Sequence, residues 1–350
     1  MGLILIGIFF VIFLKSKNSS KDITEKKSAK NTEFKIGYIT DLHCYSKLNS
    51  KTNERELNKR CSEPMAKFTN QMNESYFPDV IVDGGDLVDG RDDRGEALYP
   101  VLFDMFDNIS APHYHILGNH ETNCFTKDVW RKFTGNDKNY YYKDISDYRL
   151  IFLDGNNKIG DDGQDVDTSP DLRYYPGHLD QAQKDWLEEI LRESADKNIL
   201  VFVHQPPLSK TTVKTAKDLF VEGDKVRELF SKYGVTAVFS GHIEELCYLE
   251  ENAVKYYVLK GVHKKNGALL EKDARKDQGI FYEILINEKQ EIEVKMFFKE
   301  KGSEKYDILI VNNKTAFCNN QSVEKPEAYK ALVDEELLIK EQVKKQVNVN

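Results

Sequence analysis

The sequence predicts an α/β domain in which most strands pair in parallel. Apolar strand-like segments alternate with helix-like segments from Phe34 onward, and several strands end in Asp, Asn, His or Glu beside Gly or Pro. The chain has 350 residues, of which 40% are hydrophobic and 31% charged, and this suits one globular domain with extra segments. Alternating strands and helices indicate parallel pairing, which gathers ligands at the carboxyl ends of the strands.

The elements follow from the period of the apolar residues. Alternating or continuous apolar runs predict strands at residues 34–40, 80–82, 113–117, 140–145, 149–153, 199–203, 235–239, 256–259, 280–286 and 292–298. Helical spacing predicts helices at residues 53–74, interrupted near Pro64, and at 97–106, 178–191 and 226–233. Residues 155–177 form a polar loop without periodicity, and loops of this length are usually functional or disordered.

The two ends differ from the middle of the chain. Residues 3–14 are almost all apolar, too short for the roughly 20 residues of a full span but suited to a signal segment. A poor cleavage site favours an uncleaved membrane anchor at residues 1–14, and the alternative is a cleaved signal and a secreted protein. The lysines after this run favour retention of the following chain on the inner side of the membrane, whereas an export signal would place it outside. The side of the membrane therefore stays open.

These ends give the predicted domain organisation. Residues 15–33 are a lysine- and serine-rich flexible tether, residues 34–300 the globular domain, and residues 301–350 a C-terminal extension. Apolar residues at helical spacing within 324–350 predict a surface helix there, with a partner-binding helix as the alternative.

Charge and cysteine content narrow the class of function. The formal net charge is −8 and no basic run lies in the middle of the chain, so a nucleic-acid partner is not expected. Five cysteines without C-x-x-C spacing are too few for a disulfide scaffold but leave room for one or two bridges. Cys44, beside His43, is interpreted as a packed thiol.

Residues 80–90 are central to the functional prediction. An apolar run ends in glycines and aspartates, which is typical of a buried strand that delivers carboxylates to a turn. Glycine lets a ligand approach the backbone closely, and an aspartate at the position of Asp86 can bridge two metal ions. The alternative is a polar turn that caps a helix.

Five segments, taken in order, resemble the calcineurin-like metallophosphoesterase superfamily. They are D-L-H at 41–43, G-D-L-V-D at 85–89, G-N-H-E at 118–121, the strand-end His204, and G-H-I-E at 241–244. The match spans residues 34–298. It implies a four-layer α/β/β/α sandwich of two mixed sheets and a dinuclear metal centre.

The resemblance also implies a role for each matching residue. The implied metal ligands are Asp41 and His43 for the first metal, Asp86 as the bridge, and Asn119, His204 and His242 for the second. His120 matches the histidine of the family that faces the leaving group without binding metal. Asp89 and Glu121 are expected to hold loops or ligands in place. His113, His115, His178 and His263 lack a ligand context and are expected to be packed or exposed.

The chain departs from the family pattern at two positions. Glu244 stands where the family has its last histidine, and we expect it to ligate the first metal; the alternative is that it points away. Asp89 stands where purple acid phosphatases have a tyrosine, so an iron–tyrosinate site is not expected. Residues 161–175, with Arg173, Tyr174 and Tyr175, are the candidate specificity element, and the alternative is a disordered surface insertion.

The expected chemistry is hydrolysis of a phosphate ester. Histidine and carboxylate ligands suit two divalent ions among Mn, Fe and Zn, with Mn or Fe favoured by Glu244. Such a pair activates a water molecule for direct attack on phosphorus and stabilises the developing charge, while His120 gives a proton to the leaving oxygen.

The sequence therefore predicts a metal-dependent phosphohydrolase that is tethered at a membrane and acts on a phosphorylated small molecule or nucleotide. The alternatives are a nucleotide pyrophosphatase or cyclic phosphodiesterase of the same superfamily, and a non-catalytic binding protein on the same fold. The acidic charge balance disfavours a nuclease.

Overall fold

The computed structural model describes residues 33–48, 51, 55–57, 59–90, 95–208, 219–243, 246–261, 277–300 and 305–316. All of them belong to one unit, Asn31–Asn350. The predicted anchor, most of the tether, the predicted helix within 324–350, His263 and Glu244 lie outside the described residues. Within the described ranges, no helix has the length and apolar character needed to cross a bilayer.

The described residues form sixteen strands and six α-helices. The strands are β1 (Phe34–Ile39), β2 (Ser46–Leu48), β3 (Arg55–Leu57), β4 (Val80–Asp83), β5 (His113–His115), β6 (Tyr141–Ile145), β7 (Tyr148–Leu153), β8 (Asn157–Ile159), β9 (Asp165–Asp167), β10 (Asn198–Val203), β11 (Ala237–Ser240), β12 (Cys247–Glu251), β13 (Val254–Val258), β14 (Asp277–Ile286), β15 (Ile292–Glu300) and β16 (Asp307–Ile310). The helices are α1 (Lys59–Gln71), α2 (Gly95–Asp107), α3 (Asn119–Cys124), α4 (Lys127–Thr134), α5 (Gln181–Arg192) and α6 (Gly223–Lys232), and a π-helical turn, Met72–Tyr76, follows α1.

Two six-stranded mixed sheets carry the fold. The first has the order β16-β15-β14-β1-β4-β5, and its strands β1, β4 and β5 run parallel. The second has the order β12-β13-β11-β10-β7-β6, and β7, β10, β11 and β13 run parallel between two antiparallel edge strands. The predicted class of two mixed sheets is confirmed. The first sheet continues through β16 into the segment predicted as a C-terminal extension.

The buried apolar residues define four layers. One cluster lies between the sheets and includes a ladder of stacked rings, Tyr141, Phe152, Phe202, Phe239 and Tyr257, with centroids 4.7–5.3 Å apart. A second cluster packs α1 and α2 on the outer face of the first sheet, and a third packs α5 and α6 on the outer face of the second. Burial of each such ring stabilises the folded state by roughly 1.5–3 kcal/mol relative to an exposed ring. The α/β/β/α sandwich is confirmed.

Some local predictions are wrong. Helix α1 runs through Pro64 without interruption, because only one backbone hydrogen bond is lost there while Cys61, Met65 and Phe68 pack against the sheet. The polar loop at 155–177 contains the hairpin β8–β9. Helix α5 begins at Gln181 with the Asp180 carboxylate as its N-cap.

Cys44 is not a packed thiol. It forms a disulfide with Cys61, which ties the segment after β1 to α1, and Cys247 is also disulfide-bonded. Cys124 is outside any disulfide. A pair of cysteines at spacing 17 carries no signal that distinguishes a bridge from two buried thiols, so this pairing could not be predicted.

Candidate metal centre

The predicted ligands meet where the two sheets face each other. Asp41 and His43 follow β1, Asp86 follows β4, and Asn119 opens α3 after β5, all on the first sheet. On the second sheet, His204 follows β10 and His242 follows β11. Each residue therefore lies at the carboxyl end of a parallel strand, as expected for ligands of an α/β fold.

The backbone is strained at the same positions. Ten described residues other than glycine have a positive φ, and four of them are predicted ligands: Asp41 (51°), His43 (46°), Asp86 (56°) and His242 (72°). Left-handed conformations are unfavourable for such residues and cluster at functional sites. Their concentration here supports a binding site at this edge.

Two glycines let the strand ends approach each other. Gly85 has a φ of 88°, and a Cβ on it would lie 2.8 Å from Nδ1 of His204. A Cβ on Gly241 would lie 2.3 Å from Oδ2 of Asp41. Larger residues at either position would push the ligand-bearing segments apart.

Distances define two overlapping groups of side chains around Asp86. In the first, Nε2 of His43 lies 3.7 Å from Oδ1 of Asp41 and 3.9 Å from Oδ2 of Asp86. In the second, Asp86, His204 and His242 each offer a ligand atom within 4.8 Å of the others. Asp86 belongs to both groups, which is the arrangement required of a bridging ligand.

Buried polar atoms indicate that these side chains need a further partner. Asn119 is 1% exposed, and neither atom of its side-chain amide has a hydrogen-bond partner among the described residues. The same holds for Nε2 of His242. Buried polar groups are nearly always paired, and these atoms would be satisfied as metal ligands. The donor set therefore fits the metal centre that the resemblance implies.

The histidine tautomers also suit ligation. Nδ1 of His204 donates to the carbonyl oxygen of Gly84 at 2.7 Å, so Nε2 is the ring atom that faces Asp86, at 3.0 Å. In the same way, Nδ1 of His120 donates to the carbonyl oxygen of Asp89. A backbone carbonyl on one ring nitrogen fixes the other as the reactive one.

The electrostatics of the site favour positive charge. Burial disfavours the charged form of His204, but the carboxylates of Asp86 and Asp41 outweigh this and raise its pKa to about 10. Burial also opposes ionisation of Asp86, but the imidazoles of His204 and His120 hold its pKa well below the usual range. Burial and neighbouring His204 lower the pKa of His242 to about 3, so this imidazole is neutral and available as a ligand.

Asp89 and Glu121 hold the ligand segments by different means. The Glu121 carboxylate accepts the backbone N–H groups of Asp86 (2.9 Å), Gly118 (3.0 Å) and Val88 (3.2 Å). Burial and the nearby Asp86 raise its pKa to about 8. Asp89 acts through its main chain, since its N–H donates to the carbonyl oxygen of Cys44 and its own carbonyl accepts from His120.

His120 lies close to the first group. Its ring packs edge-on against His43 with centroids 4.4 Å apart, and its Nε2 is 3.9 Å from Oδ2 of Asp86. Burial lowers its pKa, the Asp86 carboxylate opposes this, and His43 adds to the lowering. The distances are also compatible with ligation. The leaving-group role of His120 stays a prediction.

The candidate specificity residues lie in the loop after the hairpin β8–β9. Arg173 and Tyr175 are exposed, and the ring of half-buried Tyr174 lies 5.9 Å from Nζ of Lys158 on the hairpin β8–β9. The contacts described for them do not reach the ligand set. Their proposed role in substrate choice therefore stays a prediction.

Sequence reasoning missed a buried lysine that organises the loop after β7. Nζ of Lys127 contacts the carboxylates of Asp154 at 2.7 Å and Asp167 at 2.6 Å, and the amide oxygen of Asn157 at 2.9 Å. Neighbouring Asn156 donates to the carbonyl oxygen of Leu117, next to the G-N-H-E segment. A single lysine in a polar segment gives no sequence signal for such a role.

Comparison with known proteins identifies relatives of this arrangement. A family model described as calcineurin-like phosphoesterase matches residues 34–245. A probable glycerophosphodiester phosphodiesterase GpdQ from Arcobacter nitrofigilis is 24% identical over 59% of this chain and 71% of its own length. A manganese-dependent ADP-ribose/CDP-alcohol diphosphatase from Arabidopsis thaliana is 26% identical over 46% of this chain, and the match spans 63% of that relative.

A solved structure shares the fold. A dimetal phosphatase from Danio rerio superposes with a TM-score of 0.58 over 80% of this chain and 98% of its own, at 16% identity. At this identity the likeness shows the fold alone.

Proposed function

The chain belongs to the calcineurin-like phosphoesterase family, whose members are metal-dependent hydrolases of phosphoester bonds, and on this premise we propose that it cleaves the phosphodiester or diphosphate linkage of a small, nucleotide-type substrate. The observation that carries the proposal is the convergence of both sheets on Asp86, with the amide of Asn119 and Nε2 of His242 left without partners among the described residues.

Two divalent ions would be held by the ligand set around Asp86. When bound, they would supply Lewis acidity that activates water and stabilises charge on the phosphoryl oxygens. Asp41, His43 and Asp86 would hold one ion, and Asp86, Asn119, His204 and His242 would hold the other, with Glu244 proposed as a further ligand. Manganese is the proposed metal, supported by the manganese-dependent Arabidopsis relative and by the carboxylate content of the set.

The remaining residues position the reaction. Glu121 holds the turns of Asp86 and Gly118 through three backbone N–H groups. The N–H of His120 donates to Oδ1 of Asp86 at 2.8 Å, which fixes that carboxylate and places the imidazole beside it. From this place His120 would give a proton to the leaving oxygen.

The substrate class rests on the two curated relatives. One is named as a probable glycerophosphodiester phosphodiesterase and the other as an ADP-ribose/CDP-alcohol diphosphatase, and both names describe a phosphate with two substituents. A monoester is the competing substrate class. Arg173, Tyr174 and Tyr175 are proposed to contact the substituent beyond the scissile bond, since cationic and aromatic groups suit phosphate and base recognition.

We also propose that residues 1–14 anchor the protein at a membrane with the catalytic domain on an oxidising side. The disulfide between Cys44 and Cys61 supports the oxidising side, because such bonds persist mainly in exported proteins. A chain starting at Thr32 should leave the membrane fraction and keep its activity. Retention of that shortened chain in the membrane fraction would remove the anchor from the proposal.

The substrate class is tested with the chelated protein refilled with Mn²⁺. Bis(p-nitrophenyl) phosphate, ADP-ribose and p-nitrophenyl phosphate report on diester, diphosphate and monoester hydrolysis. We expect the first two to be cleaved with the higher kcat/KM. Exclusive hydrolysis of the monoester would contradict the substrate class.

Two acid-to-amide variants on either side of strand β4 give the control. Asp86→Asn should abolish turnover, because it changes the bridging ligand. Asp79→Asn, before the first residue of β4, should not, because its exposed carboxylate accepts the N–H of Lys35 at the end of the strand opposite to Asp86.

A further inference from the structure

A chain of four polar side chains runs from the surface to the turn that carries Asp86. Nε2 of His113 lies 3.0 Å from Oδ1 of Asp107, Nδ1 of His113 lies 2.7 Å from Nε2 of His115, and Nδ1 of His115 lies 2.9 Å from Oδ2 of Asp83. The Asp107 side chain is 67% exposed, whereas that of Asp83 is fully buried. We call these four residues the relay.

The relay ends at the metal-binding turn. Oδ1 of Asp83 accepts the N–H of Gly85 at 3.0 Å, and the carbonyl oxygen of intervening Gly84 accepts Nδ1 of His204 at 2.7 Å. Asp83 thus fixes the two-glycine turn from which Asp86 projects and on which the tautomer of His204 depends. Asp83 does not itself belong to the ligand set.

The donor direction along the relay is determined by its exposed end. The exposed carboxylate of Asp107 is the acceptor of its contact with His113, so Nε2 of His113 donates to it. Nδ1 of a neutral His113 then accepts, and Nε2 of His115 donates to it. Only Nδ1 of His115 remains to face Asp83, and one proton must lie between this nitrogen and Oδ2 of Asp83.

The surroundings place that proton on Asp83. The ring of His115 is stacked on Phe103 at 4.2 Å and meets Phe106 edge-on at 4.9 Å, so an imidazolium there would have little solvation. Burial lowers the pKa of His115 to about 3. Burial, with the nearby carboxylates of Asp41 and Asp86, raises the pKa of Asp83 to about 8, although the Gly85 N–H and His204 oppose this.

We propose that Asp83 is a positioning residue that works as a neutral carboxylic acid. The relay holds it through His115 and His113 to Asp107. In this form it fixes the turn at residues 84–86 without adding a third negative charge beside Asp41 and Asp86. Its protonated oxygen donates to His115 and its carbonyl oxygen accepts from Gly85. An asparagine reproduces both bonds, whereas a valine makes neither.

The metal-affinity arm of the test rests on the proposed metal centre. In full-length protein titrated with Mn²⁺, Asp83→Asn should bind with the wild-type affinity, and Asp83→Val should lose about 10–100-fold, the usual effect of removing a residue that orients ligands. Asp79→Asn is the matched control, since the carboxylate of Asp79, just before β4, also accepts a backbone N–H, that of Lys35 on β1, but is exposed. Equal losses in the Asn and Val variants, or none in the Val variant, would overturn the positioning role.

The second arm needs neither metal nor substrate. Nitrogen-15 spectra of protein labelled at its eight histidines should show both His113 and His115 protonated at Nε2 and unprotonated at Nδ1 at neutral pH. The His115 signals should not change in Asp83→Asn. A proton on Nδ1 of His115 would overturn the neutral-acid assignment. If the tautomers are as expected but no phosphate ester is hydrolysed, the proposed substrate class fails while the relay stands.

Discussion

Nε2 of His204 lies 3.0 Å from Oδ2 of Asp86, although the two residues follow strands of different sheets. The second group of candidate ligands needs both sheets, because Asp86 follows β4 of the first sheet and the imidazoles of His204 and His242 follow β10 and β11 of the second. The metal centre therefore depends on the packing of one sheet on the other, and metal binding and folding should be coupled.

Metal binding should stabilise the folded protein. At a free Mn²⁺ concentration 100 times the dissociation constant, the free energy of unfolding should rise by about 2.7 kcal/mol, since the unfolded chain does not assemble the site. Urea unfolding with and without chelator measures this difference. Identical unfolding midpoints in the two conditions would show that the converging side chains do not hold a metal.

Removal of the His120 imidazole should slow chemistry without loss of metal. The backbone N–H that donates to Oδ1 of Asp86 remains in His120→Ala, so the ligand geometry is preserved. Turnover should fall by about 10²–10⁴-fold on esters with poor leaving groups, the range for general acid–base catalysis. The loss should be smaller on a nitrophenyl ester. Equal losses on both substrates would argue against proton donation, and loss of metal would indicate that His120 is a ligand.

Glu244 should set the metal preference and the pH profile. If Glu244 is a ligand, it would be a third carboxylate on the first ion after Asp41 and Asp86, and its charge would weaken the pull of that ion on bound water and raise the pKa of that water. Activity should therefore rise towards alkaline pH and be higher with Mn²⁺ or Fe²⁺ than with Zn²⁺. Glu244→His should keep activity and shift the profile to lower pH, and Glu244→Ala should lower the occupancy of one metal. Two metals bound by Glu244→Ala with unchanged affinity and pH profile would place Glu244 outside the site.

The disulfide between Cys44 and Cys61 should stabilise the fold and the ligand beside it. A bridge over a separation of 17 residues contributes about 3 kcal/mol, chiefly by restricting the unfolded chain. Cys61→Ala should lower the free energy of unfolding by about this amount. It should also weaken the metal site, because Cys44 follows His43. Cys124→Ala is the control, since Cys124 is outside any disulfide. Equal stability of the two variants would contradict this role.

The strand ends were predictable because each combines two local signals. Asp86 and His204 follow apolar runs that are continuous enough to be read as buried strands, and a polar residue beside Gly or Pro marks where each run ends. The order of these motifs along the chain then indicated the family. Parallel pairing of the strands could also be predicted, because parallel strands bring their carboxyl ends to one edge of a sheet.

The supporting contacts were not predictable, because they join residues far apart in sequence through single side chains. Lys127 reaches Asp154 and Asp167 across the fold, and His115 reaches Asp83 across paired strands. Such contacts depend on packing rather than on period or spacing. Pro64 shows the converse case, in which tertiary packing overrides a local signal that predicts a helix break.

The most direct test of the account is the metal content of the active protein, measured by mass spectrometry on wild type and Asp86→Ala in parallel with hydrolysis of bis(p-nitrophenyl) phosphate. Wild type should carry two divalent ions per chain, and Asp86→Ala should lose most of its metal and nearly all turnover, because Asp86 belongs to both ligand groups. Full turnover by Asp86→Ala after the removal of metal would contradict the metal centre and the hydrolytic mechanism together.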